Sequence, residues 1–197
     1  MNSCRRLLGM LITLTILVCG AYADEIEISY DDGTPEGYGG AGSETGVAVR
    51  FTPPSYPTKI VAVKLYLFEL STDCGGGKVW VVDDDGLNET PGSSLFGPVS
   101  LGVIDSTGWL ELEIPEESQI TISDGEFYIC RLDSIDPRDC TSIGLDDSAT
   151  HADRQWFYGS GIWVPFPEPA NFMIRALVVT GSVPVELVSW GSLKASM

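Results

Sequence analysis

Histidine is almost absent from this chain: 197 residues contain one, His151. A single imidazole removes His-rich zinc sites and most triad chemistry. Basic residues are scarce as well, with 11 Lys and Arg against 28 Asp and Glu and a formal net charge of -17. Such a chain repels phosphate and has no basic face from which to release counterions, which excludes nucleic-acid binding. Cys-x-x-Cys spacing is missing, and so is a G-x-S-x-G elbow for a serine nucleophile. No stretch of the mature sequence holds a helical period for three turns. What remains is 44% hydrophobic and 20% charged, enough to bury the core of one ordinary domain.

Residues 1–23 read as an export signal. Arg5 and Arg6 form a positive n-region, Leu7 to Val18 an apolar h-region, and Ala21-Tyr22-Ala23 a small-x-small cleavage site before Asp24. A membrane span needs about 20 apolar residues, so cleavage after Ala23 is expected rather than anchoring, with no membrane insertion afterwards. The lipoprotein alternative, at Cys19, meets Val18 where a small residue belongs. Cleavage removes two bases and no acids, leaving a still more acidic surface that suits a calcium-containing medium. Cys4 and Cys19 leave with the signal, so Cys74, Cys130 and Cys140 allow one bridge and one spare thiol. Cys74–Cys140 is the preferred disulfide, tying two loops. Cys130–Cys140 is the alternative, although Cys130 sits in the apolar run Phe127-Tyr128-Ile129-Cys130 and also reads as core.

The rest reads as strands punctuated by Gly- and Pro-rich turns, at 46–52, 59–69, 77–83, 99–104, 108–114, 119–122, 126–132, 141–146, 154–158 and 172–180. Alternation is plain in Trp109-Leu110-Glu111-Leu112-Glu113-Ile114, where the leucines and Ile114 face one way and the glutamates face water. Val61, Val63, Leu65 and Leu67 are expected on one face, opposite Lys64 and Tyr66. The fold expected is an all-β, two-sheet antiparallel β-sandwich, jelly-roll-like. Residues 24–45 read as a Gly-rich lead-in against a sheet edge, 46–180 as the sandwich, and 181–197 as a linker or tail.

Each chemical motif has a plain alternative. Gly37-Tyr38-Gly39-Gly40-Ala41-Gly42 matches G-x-G-x-x-G, but it runs into a strand rather than a helix, so no dinucleotide site follows. Asp83, Asp84 and Asp85, with Gly86-Leu87-Asn88-Glu89, offer oxygens for calcium; the EF-hand spacing fails, and a solvated hairpin turn is the alternative. Glu111 and Glu113 have a separation compatible with glycoside hydrolysis, as any i, i+2 acids on a strand do. His151 with Asp153 lacks a nucleophile. The lone His reads as a surface-loop residue, and no catalytic constellation emerges. Aromatics are the remaining lead: Trp156 and Tyr158 point outward together if Phe157 points inward, and Trp163 follows the turn Gly159-Ser160-Gly161. Such a surface suits a sugar ring or a partner side chain. Alternatively these rings cover a sandwich end.

The phrases Tyr30-Asp31-Asp32-Gly33-Thr34, Val47 to Pro53, Val81 to Gly86, Ile143-Gly144-Leu145-Asp146, Trp163-Val164-Pro165 and Phe172 to Ala176 together carry a resemblance. The chain resembles the jelly-roll-like β-sandwich modules of secreted bacterial peptidases and cell-surface proteins. That resemblance implies a bacterial extracellular location and a non-catalytic companion that binds glycan or protein. Val183 to Ser189 also resembles the junction before C-terminal sorting or Ig-like modules, yet the chain stops at Met197. The expected function is therefore adhesion or carbohydrate binding, with calcium as a stabilising ion. The alternatives are a structural surface-layer or protein-interaction domain and a polysaccharide-active enzyme on a jelly-roll.

Overall fold

The computed structural model describes residues 24–39, 44–70, 74–133, 141–148 and 151–181. The signal segment, the 182–197 tail and Cys140 lie outside them. In chain order the strands are β1 (Asp24–Ile28), β2 (Gly37–Gly39), β3 (Gly46–Phe51), β4 (Thr58–Phe68), β5 (Cys74–Gly75), β6 (Lys78–Asp83), β7 (Ser94–Ser100), β8 (Val103–Ile104), β9 (Gly108–Glu113), β10 (Ile120–Ile122), β11 (Phe127–Leu132), β12 (Ser142–Asp146), β13 (Gln155–Gly159), β14 (Ile162–Pro165), β15 (Asn171–Phe172) and β16 (Ile174–Thr180). Among the described residues no helix is long and apolar enough to cross a membrane.

Two antiparallel sheets pack face to face, as the alternation predicts. The larger, eight-stranded sheet runs β1-β16-β4-β12-β15, with β9 and β10 also pairing with β4 and β2 with β12. The six-stranded sheet runs β14-β13-β3-β11-β6-β7, and β5 and β8 form a separate short ribbon. Alternate residues meet between the sheets: Val47, Val49 and Phe51 of β3, Val63, Leu65 and Leu67 of β4, Phe127 and Ile129 of β11, and Ile174, Ala176 and Val178 of β16. Phe51 and Phe127 stack at 5.5 Å between centroids. Each large side chain so buried contributes roughly 1.5–3 kcal/mol of transfer free energy, and this is what drives the sheets together.

Three details depart from the sequence reading. Val61 does not share the face of Val63. The β4–β16 register slips there, with Leu177 opposite Ala62 and Val178 opposite Ile60, so Val61 is the extra residue of a β-bulge and Ile60 takes the inward place. The single strand expected at 99–104 is two, β7 and β8, because Gly102 turns the chain at φ 68° and its carbonyl accepts from Gly76 N at 2.8 Å. The lead-in contributes strands of its own: β1 pairs along β16, and β2 pairs with β12.

Candidate functional site

The outward positions of the six-stranded sheet are unusually apolar. On β3 the inward Val47, Val49 and Phe51 leave Gly46, Ala48 and Arg50 facing out. The same parity turns out Lys78, Trp80 and Val82 on β6, and Tyr128, Cys130 and Leu132 on β11. Ala48, Val82, Tyr128 and Cys130 form a second hydrophobic cluster, with Trp80, Trp156 and Trp163 packed against it. Phe157 belongs to the main core, so Trp156 and Tyr158 do point out together.

Register turns these positions into two rows across five strands. One reads Trp80, Cys130, Ala48, Trp156, Pro165; its neighbour reads Lys78, Leu132, Gly46, Tyr158, Trp163. At 4.7–4.9 Å per strand each row spans about 19 Å. In the middle, Gly46, Ala48 and Cys130 are buried under the larger side chains, a sealed floor to the groove that Trp80, Leu132, Tyr158 and Trp163 line. Gly46 is required in that floor: a Cβ there would run into the Leu132 side chain and lie 2.8 Å from the Arg131 carbonyl. Over these rows lies a cavity of about 480 Å³ lined by Trp80, Tyr158, Trp163, Lys78, Glu44 and Asp133. It shares Glu44 and Tyr158 with a second space of about 490 Å³, bounded also by Thr45, Ser160 and Gly161 at the β13–β14 turn.

The surroundings hold the rings in place. Tyr158 and Trp163 lie 5.0 Å apart, and Tyr128 meets Trp156 edge-on at 6.1 Å. The Tyr128 hydroxyl donates to the Glu89 carbonyl at 2.6 Å. Arg50 bonds Glu89 at 2.8 Å and also pairs with Glu126, which Arg154 reaches at 3.3 Å. Asp133 is oriented from beneath by the buried Arg131, whose guanidinium donates to it at 2.6 Å and to the Thr141 carbonyl and hydroxyl at 2.9 Å. Burial pushes the Tyr128 phenol and the Cys130 thiol well above their ordinary values. The indole nitrogens of Trp80 and Trp156 are buried without a protein hydrogen-bond partner.

The other sequence candidates are placed apart from this groove or from each other. Asp83, Asp84 and Asp85 aim at three separate partners. Asp83 accepts from Asp84 N at 3.0 Å, Asp84 from Glu126 N at 3.0 Å, and Asp85 from Ser93 N at 2.6 Å and Ser93 Oγ at 2.8 Å. Their carboxylates bind the turn together rather than converging. The carboxylates that do converge among the described residues are Asp32, Glu36 and Asp146, with ligand oxygens within 4.8 Å of one another. Among the described residues, these three carboxylates are the ones whose spacing could let them share a hard cation. Asp146 is fully buried and already accepts from Asp32 N at 2.7 Å and from Ser148 N at 2.8 Å. Glu111 and Glu113 lie on the outer face of the larger sheet, where Glu111 pairs with Lys64 at 3.3 Å. His151 stands exposed with its ring 5.3 Å from that of Tyr30. Cys130 is a free, buried thiol, so it is not in the alternative bridge to Cys140; it lies under the tryptophans, not between the sheets. The Cys74–Cys140 pairing falls outside the described residues.

Trp80 and Tyr128 were missed by sequence reasoning, as were Lys78, Glu44 and Asp133. The signal for Trp80 was present in Lys78-Val79-Trp80-Val81-Val82, where a tryptophan occupies the parity opposite two valines. A separate aromatic ladder crosses the outer face of the larger sheet. Tyr38, Phe68, Tyr66 and Trp109 follow at 5.2, 5.4 and 5.4 Å, and Arg175 covers Trp109 at 4.3 Å.

No protein-family model and no curated protein matches this chain. Among solved structures it is similar to the cysteine protease and lectin-like domains of Cwp84, a surface layer associated protein of Clostridium difficile. That likeness has 15% identity and a TM-score of 0.54, over 71% of this chain and 33% of the other. A clostridial cysteine protease Cwp84 variant after propeptide cleavage is similar at 14% identity and a TM-score of 0.53, over 79% of this chain and 38% of that one. The chain thus spans little more than a third of the structures it matches, and at this identity the likeness is one of fold.

Proposed function

We propose that the mature chain is an exported, non-catalytic β-sandwich module that binds carbohydrate on the outer face of its six-stranded sheet, outside a bacterial cell. The observation that carries this reading is the groove itself: Trp80, Trp156, Tyr158 and Trp163 stand on the solvent side of a sheet, beside polar groups at Lys78, Glu44 and Asp133. Aromatic faces next to hydrogen-bonding edges are what a sugar ring requires. The name "lectin-like" borne by a similar fold lends support, and residues 1–23 support export. His151 faces Tyr30, and the Cys130 thiol is buried with its ionisation suppressed, so neither suits nucleophilic chemistry. The test is a broad array of glycans and cell-wall polysaccharides, run in calcium and again in EDTA, with the intact chain and with Trp163→Ala. Binding that weakens in the variant is expected. Silence, or binding untouched by the variant, defeats the reading.

One observation favours a second reading, a structural module that packs on a neighbouring surface protein. The ladder on the opposite sheet leaves Tyr38 58% and Trp109 37% exposed. Under that reading Tyr38→Ala, not Trp163→Ala, abolishes association.

A further inference from the structure

The length and charge of the groove narrow the ligand class, given the carbohydrate reading above. We infer that the module takes an interior segment of a linear, uncharged polysaccharide with flat, equatorially linked pyranose rings, laid across the strands of the six-stranded sheet.

The aromatic side chains that line the cavity rise from strands farther apart than one sugar is long. Trp80 rises from β6, whereas Tyr158 and Trp163 rise from β13 and β14, three and four strands away, so their backbone positions are about 14–19 Å apart while all three line one cavity. Between them Leu132 lies over Gly46 and lines the same cavity, with Ala48 and Cys130 buried beneath, so one continuous space joins the rings. Nor does the groove end at the tyrosine, because Glu44 and Tyr158 border a second space with Thr45 and Ser160 hydroxyls on its rim. A chain therefore passes through rather than ending. Equatorial substituents leave the C–H faces of a pyranose flat for stacking, while axial hydroxyls break them. Charge disfavours the polyanions: Asp133 is paired with Arg131 and Glu44 offsets Lys78 in the cavity, which leaves no net positive group there on a chain of net charge -17.

The test is calorimetric titration of the intact chain with β-linked glucose and N-acetylglucosamine oligomers of one to six units, and with polygalacturonate. Affinity is expected to be unmeasurable for one unit, to climb steeply to about four and then to level off. Trp80→Ala and Trp163→Ala should each lose roughly tenfold on the longest oligomer, the loss of one ring contact. Trp163 is on an edge hairpin, so its variant, checked by its urea midpoint, carries the test if Trp80→Ala does not fold. Polygalacturonate should bind most weakly of the three. A single sugar that binds as tightly as the hexamer overturns the inference, and so does preference for polygalacturonate. If all three are silent while another glycan scores on the array, this inference fails and the carbohydrate reading stands. If the array is silent too, both fail.

Discussion

Raising the pH probes the groove floor directly. Cys130 is completely buried beneath Trp80 and Trp156, and burial holds its thiol neutral far above the ordinary cysteine value. In the unfolded chain the same thiol ionises near 8.5. A raised folded value contributes stability in full below the unfolded one, and that stability drains away as pH climbs toward the folded one. Within this interval the unfolded chain has released a proton that the native chain keeps, so stability falls by about 1.4 kcal/mol per pH unit. Between pH 8.5 and pH 10 one thiol therefore removes about 2 kcal/mol. Cys130→Ala abolishes that slope and costs about 1 kcal/mol of lost contact at every pH. Urea unfolding under reducing conditions at pH 7, 8.5, 9.5 and 10 measures both chains. The variant should start less stable by about 1 kcal/mol and finish more stable by a similar amount, the two curves crossing near pH 9. Curves that stay parallel would refute the argument, since the thiol would then ionise in the folded state as it does in water and the tryptophans would not seal the floor.

Other perturbations test the framework around the groove. Burial opposes ionisation of Asp146, but the Ser148 side chain and backbone and the Asp32 backbone outweigh it and hold the carboxyl low; Glu27, where burial is again opposed, is held low by Lys64 and Arg175. Lowered acids contribute stability above their unfolded values near 4 and lose it as pH falls through the folded ones, so melting temperature should hold to about pH 4 and drop below it. Asp146→Asn should flatten that acid limb and cost about 1–3 kcal/mol at pH 7. Gly46→Val should destabilise by about 1–3 kcal/mol through overpacking against Leu132 and the Arg131 carbonyl, read from the urea midpoint. Tyr128→Phe keeps the ring and loses the 2.6 Å bond to the Glu89 carbonyl, so a loss near 1 kcal/mol is expected in the same assay; a loss above about 3 kcal/mol would mean the hydroxyl does more than this one bond.

Local pattern reached further into this fold than into its site. Period-two alternation placed Leu110, Leu112 and Ile114 inward and Glu111 and Glu113 outward, and it set Trp156 and Tyr158 together opposite Phe157, which the structure turns inward. The same rule failed at Val61, where one inserted residue reversed the parity, because a bulge leaves no mark in an apolar run. Residue type alone favoured Asp83, Asp84 and Asp85 as a carboxylate cluster. Yet the acids that converge come from Asp32, Glu36 and Asp146, two segments more than a hundred residues apart in the chain.

Alternating polarity, turn residues and the lack of helical period were enough to determine an all-β sandwich and that Trp156 and Tyr158 share the face opposite Phe157. They are local properties, set by the geometry of a single pleated strand. Tertiary structure alone decided that Trp80 of β6 and Trp156 of β13 share a row, with Cys130 and Ala48 between them. That outcome depends on which strands pair and in what register. Both are chosen by burying the opposite face, where Val49, Val81 and Ile129 interlock with the larger sheet. The groove is thus positioned by the side of the sheet that does not form it.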